Sequence, residues 1–318
     1  MAKYITPAIT PLTPEGGIDE RGAAALYERL IAGGVDAVLV LGSIGEFFSL
    51  PMQQKRQLIS LALHRIAGRL PVIAGTSDML FENVVELSEF ALAEGADAVI
   101  VVPPYYFRLE PEQIEAYYDA LAARIHGRIY LYNFPDRTGY SIPAETVRRL
   151  ALRHGNIVGC KDTIAGMDHT RELIKAVKPL RPEFEIYSGF DDNFAHNALC
   201  GGDGCIAGLS NVAPEVCSRW ARAVNAGDWS EAAAIQQRID RLMDIYTVGS
   251  PFIPFIKRAA ALRGLPVGDA VSFPFPAVTE AQTQALADIL SREGLLGGRS
   301  ATAAGVWTVT PASPGGNG

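Results

Sequence analysis

The sequence predicts an α/β fold, a (β/α)8 TIM barrel with a C-terminal helical extension, and three observations lead to it. Eight short apolar runs alternate with helix-like stretches up to about residue 210. The runs are almost continuously apolar, as parallel strands buried on both faces must be. A glycine–aspartate pattern recurs at the spacing of strand–helix units. Eight such units close into a barrel, and a doubly wound open sheet is the alternative.

The eight apolar runs are interpreted as parallel strands because each is short and is followed by a helical stretch that can serve as a crossover. In chain order the predicted strands cover residues 5–9, 37–41, 72–74, 98–102, 129–132, 157–160, 184–187 and 205–209. Each strand with its helix takes about thirty residues, the usual length of such a unit.

The recurring pattern is a glycine, any residue, an aspartate and then an apolar run. Its three copies begin at Gly34, Gly95 and Gly201. We expect each glycine to end a helix and each aspartate to open a buried strand. The repetition therefore supports a fold made of equivalent units.

After residue 209 the strand signals stop. Four helices are predicted, at 214–225, 229–246, 254–262 and 279–291. Pro214 and Pro254 lie in first turns, where proline is tolerated. We therefore divide the chain into a barrel at 1–212, a C-terminal helical region at 213–292 and a flexible tail at 293–318, which is rich in glycine, alanine, serine and proline.

The composition excludes some classes of protein. The chain has 318 residues, 48% hydrophobic and 20% charged, which excludes an intrinsically disordered protein. A formal net charge of −7 argues against nucleic acid or an anionic membrane as partner, because both favour basic patches. The four cysteines form no CxxC pair, the start lacks the apolar run of a signal peptide, and no segment is apolar enough to span a membrane. We predict a cytoplasmic protein.

In a barrel, side chains at the C-terminal ends of strands face the active site, and Lys161 ends predicted strand six. Alternation puts Lys161 and Gly159 on one face, so an inward Lys161 has a neighbour without a side chain, which leaves room for a ligand. A buried lysine is costly unless it has a partner or a task. Desolvation lowers the pKa of a lysine amine and lets it attack a carbonyl group. The alternative is a lysine that reaches solvent or pairs with Asp162.

Three other strand ends carry candidate residues. Tyr132 could relay protons to and from a carbinolamine, or be an aromatic core residue. The turn at 42–46 offers backbone N–H groups to a carboxylate, or is an ordinary strand–helix turn. Arg137 could hold a second carboxylate through two guanidinium N–H groups, or be a solvated arginine.

With these residues in place, the chain resembles the dihydrodipicolinate synthase / N-acetylneuraminate lyase family of class I, Schiff-base pyruvate aldolases. The resemblance covers about residues 4–292. It rests on a Gly-[Ser/Thr]-x-Gly-Glu turn at 42–46, a Tyr-Asn-x-Pro segment at 132–135 and a Gly-x-Lys strand end at 159–161. Each motif alone is weak, but the three in this order and on these strands are specific.

The resemblance implies catalytic roles. Lys161 would form the imine with pyruvate or another 2-keto acid, and Tyr132 would move protons at that centre. Ser43 would link Tyr132 to Tyr106, which in the family comes from a neighbouring subunit. The family also implies a homotetramer, a dimer of dimers, and no metal or other cofactor beyond the covalent lysine imine.

The resemblance also implies the substrate contacts. The backbone around Ser43 and Ile44 would bind the carboxylate of the keto acid. The backbone of Gly189 and Ile206 would line the site, and Arg137 matches the arginine that binds the electrophile in the synthase.

The choice of member depends on departures from the synthase pattern. Ile44 replaces the second hydroxyl residue of the synthase turn, and the segment at 250–257 also departs from that pattern. The segments at 46–50 and 161–163 look more like members that act on 2-keto-3-deoxy sugar acids. We therefore expect a lyase that interconverts a 2-keto-3-deoxy sugar acid with pyruvate and an aldehyde. The alternatives are 4-hydroxy-tetrahydrodipicolinate synthase, which condenses pyruvate with aspartate semialdehyde, a keto-deoxy-acid dehydratase and a non-catalytic keto-acid sensor.

Other kinds of site are less favoured. The segment at 202–207 matches GxGxxA but opens a strand instead of a helix, which argues against a dinucleotide site. A phosphate site after strands seven and eight would mean a sugar-phosphate enzyme, yet the short extra helix of such sites is not indicated. The histidines are scattered, and Asp192 and His196 on one predicted helix face are explained by helix-start charge, so no metal site is predicted.

Overall fold

A computed structural model describes residues 1–296, and within them eight parallel strands form a closed barrel in the order β1 to β8, with β8 paired to β1. The strands are β1 (Lys3–Pro7), β2 (Ala37–Val40), β3 (Val72–Gly75), β4 (Ala98–Val101), β5 (Ile129–Asn133), β6 (Ile157–Asp162), β7 (Glu185–Ser188) and β8 (Gly204–Ile206). The predicted TIM barrel is confirmed, and the open sheet is excluded because the sheet closes.

Helices follow the strands, as the alternating pattern predicted. Those of the barrel are α1 (Glu20–Gly33), α2 (Met52–Ile66), α3 (Phe81–Ala93), α4 (Pro111–Arg124), α5 (Pro135–Thr138), α6 (Ala144–Arg153), α7 (Asp168–Val177) and α8 (Phe194–Leu199). The last four in the described chain are α9 (Pro214–Ala226), α10 (Trp229–Leu242), α11 (Ile253–Leu262) and α12 (Glu280–Arg292). Among residues 1–296, no helix is both long and apolar enough to cross a lipid bilayer.

The glycine–aspartate pattern has a shared structural cause. Each glycine has a positive φ, which glycine adopts without steric cost, and lies one or two positions after the last residue of a helix. Each aspartate accepts a hydrogen bond of 2.7 Å from a backbone N–H of the neighbouring strand or its edge, and its own N–H donates to the carbonyl of that same residue. The three pairs are Asp36 with Tyr4, Asp97 with Val72 and Asp203 with Ile186. The pattern thus joins adjacent strands at the N-terminal end of the barrel.

Several predicted boundaries were wrong. β1 is Lys3–Pro7 instead of 5–9, because the N–H of the buried Ile9 donates to the Asn211 side chain at 3.0 Å and not to a neighbouring strand. Predicted strand eight ends at Ile206, after which the chain forms a 3-10 turn at Gly208–Asn211. The apolar residues beyond these two strand ends are buried, as predicted. Burial alone does not make them strand residues, because a strand also needs backbone hydrogen bonds to its neighbour.

Two helix predictions also change. Predicted helix 229–246 ends at Leu242 and continues as a 3-10 turn over Met243–Thr247. Asp192 lies in another 3-10 turn (Asp191–Asn193), whereas His196 lies in α8, so they do not share one regular helix.

The start of the predicted tail is packed. The side chain of Glu293 is 6% exposed and pairs with Arg241, with Nε and Oε1 2.6 Å apart. Leu295 is buried, and its N–H donates to the Leu290 carbonyl. Glu293 and Leu295 thus contact the helices before them, and the rest of the predicted tail, 297–318, lies outside the described residues. The domain division at residue 212 stays a prediction.

Candidate active site

A cavity of about 220 Å³ opens at the C-terminal ends of the strands. Seven of the eight predicted site residues line it, and Tyr106 does not. The seven are Ser43, Ile44, Tyr132, Arg137, Lys161, Gly189 and Ile206. The wall is completed by residues from the C-terminal helical region, namely Met243, Tyr246 and Phe252.

Lys161 and Tyr132 face each other because β6 and β5 pair them directly in register. The Lys161 Nζ donates to the Tyr132 hydroxyl at 3.1 Å and lies 4.4 Å from the centre of the tyrosine ring. Lys161 is 4% exposed, so it does not reach bulk solvent. Of the two orientations that its position left open, the inward one is present, and the amine lies beside a hydroxyl that can exchange protons with it.

Gly159 has a different role from the one its position suggested. A side chain there would come within 2.5 Å of the Glu185 carbonyl and 2.6 Å of the Tyr130 ring. The space is filled by the barrel itself, so Gly159 permits close packing and does not make room for a ligand.

Asp162 does not pair with Lys161, contrary to the alternative drawn from the sequence. Its buried carboxylate accepts from Asn133 Nδ2 at 2.7 Å and from Thr170 Oγ1 at 2.6 Å, and contacts His169 Nδ1 at 3.0 Å. Asn133 and Asp162 are register partners on β5 and β6, one residue beyond Tyr132 and Lys161. Their hydrogen bond therefore fixes the alignment that brings the lysine to the tyrosine.

Ser43 extends this chain of polar groups. Its Oγ lies 3.3 Å from the Tyr132 hydroxyl. Tyr106 is 78% exposed, and its ring contacts Phe107. Within residues 1–296 no hydrogen bond joins Tyr106 to Ser43, so one chain alone does not bring together the three hydroxyls that the family resemblance groups.

The turn after β2 has an irregular backbone. Leu41 and Glu46, at its two ends, have φ values of 57° and 59°, the left-handed region that residues other than glycine rarely adopt. The N–H of Glu46 donates to the Ser43 carbonyl at 3.1 Å. The backbone N–H groups of Ser43 and Ile44 donate no hydrogen bond to any group within residues 1–296. Unpaired N–H groups beside a cavity are suited to a carboxylate.

Arg137 lies on α5, at the mouth of the cavity. Its guanidinium carbon is 5.0 Å from the centre of the Phe134 ring, and Nη1 donates to the Asp136 carbonyl at 3.3 Å. Among the described residues no carboxylate side chain pairs with it. The guanidinium is thus free to bind an anionic group that enters the cavity.

Sequence reasoning missed Asp191, a buried carboxylate in the cavity wall. It accepts from the hydroxyls of Tyr4 and Tyr246, the latter at 2.9 Å, and from the N–H of Leu209 at 2.9 Å. Burial raises the pKa of Asp191 although these donors oppose the change. Tyr246 belongs to the C-terminal helical region, and no local pattern could have placed it beside Asp191.

Thr163 was within the strand end selected from the sequence but received no role. Its Oγ1 is buried, lines the cavity and has no hydrogen-bond partner in the described chain. An unpaired hydroxyl at this position offers a bond to a ligand. Among residues 1–296 no group of three or more histidine, cysteine, aspartate or glutamate side chains could hold a metal ion.

The sequence matches one protein family and is similar to several named members of it. Residues 1–293 match the model of the dihydrodipicolinate synthetase family. YjhH of Escherichia coli (strain K12), which carries the name probable 2-dehydro-3-deoxy-D-pentonate aldolase, is 35% identical over 92% of this chain and 97% of its own. A 4-hydroxy-tetrahydrodipicolinate synthase from Kosmotoga olearia is 38% identical over 73% of this chain and 78% of its own.

A solved structure agrees with these matches. The crystal structure of YagE from Escherichia coli K12, a prophage protein of the dihydrodipicolinic acid synthase family in complex with pyruvate, superposes with a TM-score of 0.90. It is 34% identical and covers 92% of this chain and 99% of its own. YagE is provisionally named a 2-dehydro-3-deoxy-D-gluconate aldolase. On the match over residues 1–293 and these relatives, the chain belongs to the dihydrodipicolinate synthetase family and is an enzyme, a lyase of that family.

Proposed function

We propose that the protein cleaves 2-keto-3-deoxy sugar acids to pyruvate and an aldehyde, reversibly, through an imine on Lys161. The observation that carries the proposal is the buried Lys161 amine 3.1 Å from the Tyr132 hydroxyl, in a cavity beside unpaired N–H groups. The relatives named as aldolases of 2-dehydro-3-deoxy acids favour this substrate class.

The reaction begins when the neutral Lys161 amine attacks the C2 carbonyl of the keto acid. Tyr132 transfers protons, and the carbinolamine loses water to give the imine. Tyr132, which has given its proton to the departing water, then takes the proton of the C4 hydroxyl, and the C3–C4 bond breaks. Its electron pair moves into the imine, which leaves the enamine of pyruvate and releases the aldehyde. Protonation of the enamine at C3 and hydrolysis by water free pyruvate and Lys161. The imine accepts the electron pair, so this chemistry needs no metal or other cofactor.

The other residues bind and orient the substrate. The N–H groups of Ser43 and Ile44 would hold the carboxylate, and Ser43 Oγ would share protons with Tyr132. The backbone of Gly189 and Ile206 would line the pyruvate end of the cavity. The unpaired Thr163 hydroxyl would bond a hydroxyl group of the sugar acid.

Arg137 supports a second candidate. Its unpaired guanidinium at the cavity mouth could bind the carboxylate of aspartate semialdehyde, and a synthase of that reaction is a relative. The same imine could expel a β-hydroxyl as a dehydratase, or remain unreacted in a keto-acid sensor. Which product appears, and at what rate, separates these outcomes.

We further propose a homotetrameric, cytoplasmic enzyme. The exposed Tyr106 and Phe107 offer aromatic surface that a second copy of the chain would cover. In that assembly Tyr106 would reach the Ser43 of a neighbouring site.

The test is pyruvate release measured over several 2-keto-3-deoxy sugar acids beside condensation of pyruvate with aspartate semialdehyde. We expect cleavage to be faster than condensation, and Lys161→Met to reduce turnover at least about a thousandfold with no adduct after borohydride treatment with pyruvate. Lys178→Met, which removes a lysine at the opposite end of the barrel, should keep both signals. Faster condensation would favour the synthase, and an adduct on Lys161→Met would exclude the proposed nucleophile.

A further inference from the structure

A buried ion pair lies directly behind the turn that faces the cavity, and the proposed chemistry does not use it. Lys257 on α11 bonds Glu46 at the end of the turn, and the side chains are 1% and 0% exposed. The Lys257 Nζ also donates to the Ala270 carbonyl at 2.9 Å. The other carboxylate oxygen of Glu46 accepts from the N–H of Ser272 at 2.7 Å. Both partners of Glu46 thus come from the C-terminal helical region and the segment that follows α11.

Stability alone is a poor explanation for this pair. Two charges removed from water lose their hydration, and a buried ion pair is often no more stabilising than apolar residues of the same size. Burial lowers the pKa of Lys257, and the charge of Glu46 opposes that change. A pair retained at such cost is more readily explained by the geometry that it enforces.

The geometry in question is that of Glu46 itself. This residue has a left-handed backbone, its N–H donates to the Ser43 carbonyl, and its carbonyl accepts from both the N–H and the hydroxyl of Ser49. Within residues 1–296, only the ion pair with Lys257 and the hydrogen bond from Ser272 link this strained residue to a distant part of the chain. Without them, Glu46 could relax toward an ordinary conformation and carry Ser43 and Ile44 with it.

We propose that Glu46 and Lys257 are positioning residues through which the C-terminal helical region holds the turn in the conformation that binds the keto acid. The inference rests on the proposed function, in which the N–H groups of Ser43 and Ile44 take the carboxylate. The C-terminal helical region therefore both lines the cavity and holds the turn that binds the keto acid.

The test compares two double variants with matched chemistry. Glu46→Gln/Lys257→Met removes the charges behind the turn. Asp203→Asn/Lys178→Met does the same to a less buried pair at the other end of the barrel, where Nζ and Oδ2 are 2.7 Å apart. For each protein the half-saturating pyruvate concentration and the limiting rate of borohydride trapping are measured, with the unfolding midpoint by circular dichroism.

We expect the half-saturating pyruvate concentration to rise about tenfold in the turn variant and to stay at the wild-type value in the control, because the carboxylate loses aligned charge-assisted hydrogen bonds. An unchanged concentration, or the same rise in both, would overturn the inference even if the unfolding midpoint falls. If the double variant does not fold, Glu46→Gln alone decides by the same criterion, since it keeps an oxygen for Ser272. Failure of the wild type to trap pyruvate would instead reject the proposed function.

Discussion

The two ends of the barrel are built by different rules. At the N-terminal end the same pair of hydrogen bonds occurs three times, made by Asp36, Asp97 and Asp203. At the C-terminal end, Leu41 and Glu46 hold left-handed conformations around a turn whose Ser43 and Ile44 N–H groups have no acceptor within residues 1–296. Repeated, satisfied bonds serve the fold, whereas single, strained or unpaired groups are typical of a site that binds and reacts.

Strand β5 shows the difference between the two ends, because it carries one tyrosine that faces each end. Tyr130 points to the N-terminal end, where its hydroxyl bonds Glu185, and Tyr132 points to the cavity, where its hydroxyl bonds Lys161. The two tyrosines are 4% and 3% exposed and face opposite ends of the barrel. The strand therefore offers an internal control for the contrast between the two ends.

The largest effect should come from exchanging each tyrosine for phenylalanine. Tyr132→Phe should reduce turnover by roughly 10²- to 10⁴-fold, the usual contribution of a positioned acid–base group, and change the unfolding midpoint little. Tyr130→Phe should leave kcat unchanged and cost about 1 kcal/mol of stability, because the hydrogen bonds that it loses, with Glu185 and Arg128, are structural. Steady-state kinetics and denaturant unfolding measure both. Equal kinetic losses would show that the two ends are not functionally distinct.

A smaller effect should follow from replacing one of the three aspartates of the glycine–aspartate pattern. Asp97→Ala leaves the N–H of Val72 without its side-chain acceptor and should cost about 1–2 kcal/mol of stability with kcat and KM unchanged. Asp97→Asn keeps an acceptor oxygen and should lose much less. Urea unfolding of the two variants gives the comparison, and a loss of activity in either would mean that this end contributes to the reaction.

The same contrast explains how much the sequence could predict. Strands and the barrel followed from apolar runs, and Lys161, Tyr132 and Ser43 from motifs at strand ends, because each signal is local. Predicted strand ends were wrong where a distant side chain, and not the neighbouring strand, accepts the backbone hydrogen bond, as Asn211 does from the N–H of Ile9. Glu46 belonged to a recognised motif, but its partner Ser272 is 226 residues further along the chain, so no local pattern could show the contact.

The smallest effect concerns His169, which contacts Asp162. Asp162 accepts the hydrogen bond from Asn133 that aligns β5 with β6. The His169 Nδ1 lies 3.0 Å from Asp162 and its Nε2 lies 2.9 Å from the Ile142 carbonyl, so both ring nitrogens face acceptors and the doubly protonated ring satisfies both. Burial alone would lower the pKa of His169, but the bonds and the charge of Asp162 outweigh it and raise the pKa above its ordinary value.

A pKa raised in the folded state adds stability that is fully present below the ordinary histidine value of about 6.5 and is lost as pH rises through the raised value. We therefore expect the free energy of unfolding to fall over that range in the wild type and this part of the fall to be absent in His169→Gln. Urea unfolding at several pH values tests this. An identical pH profile for wild type and His169→Gln would show that Asp162 holds the register of β5 and β6 without help from a charged histidine.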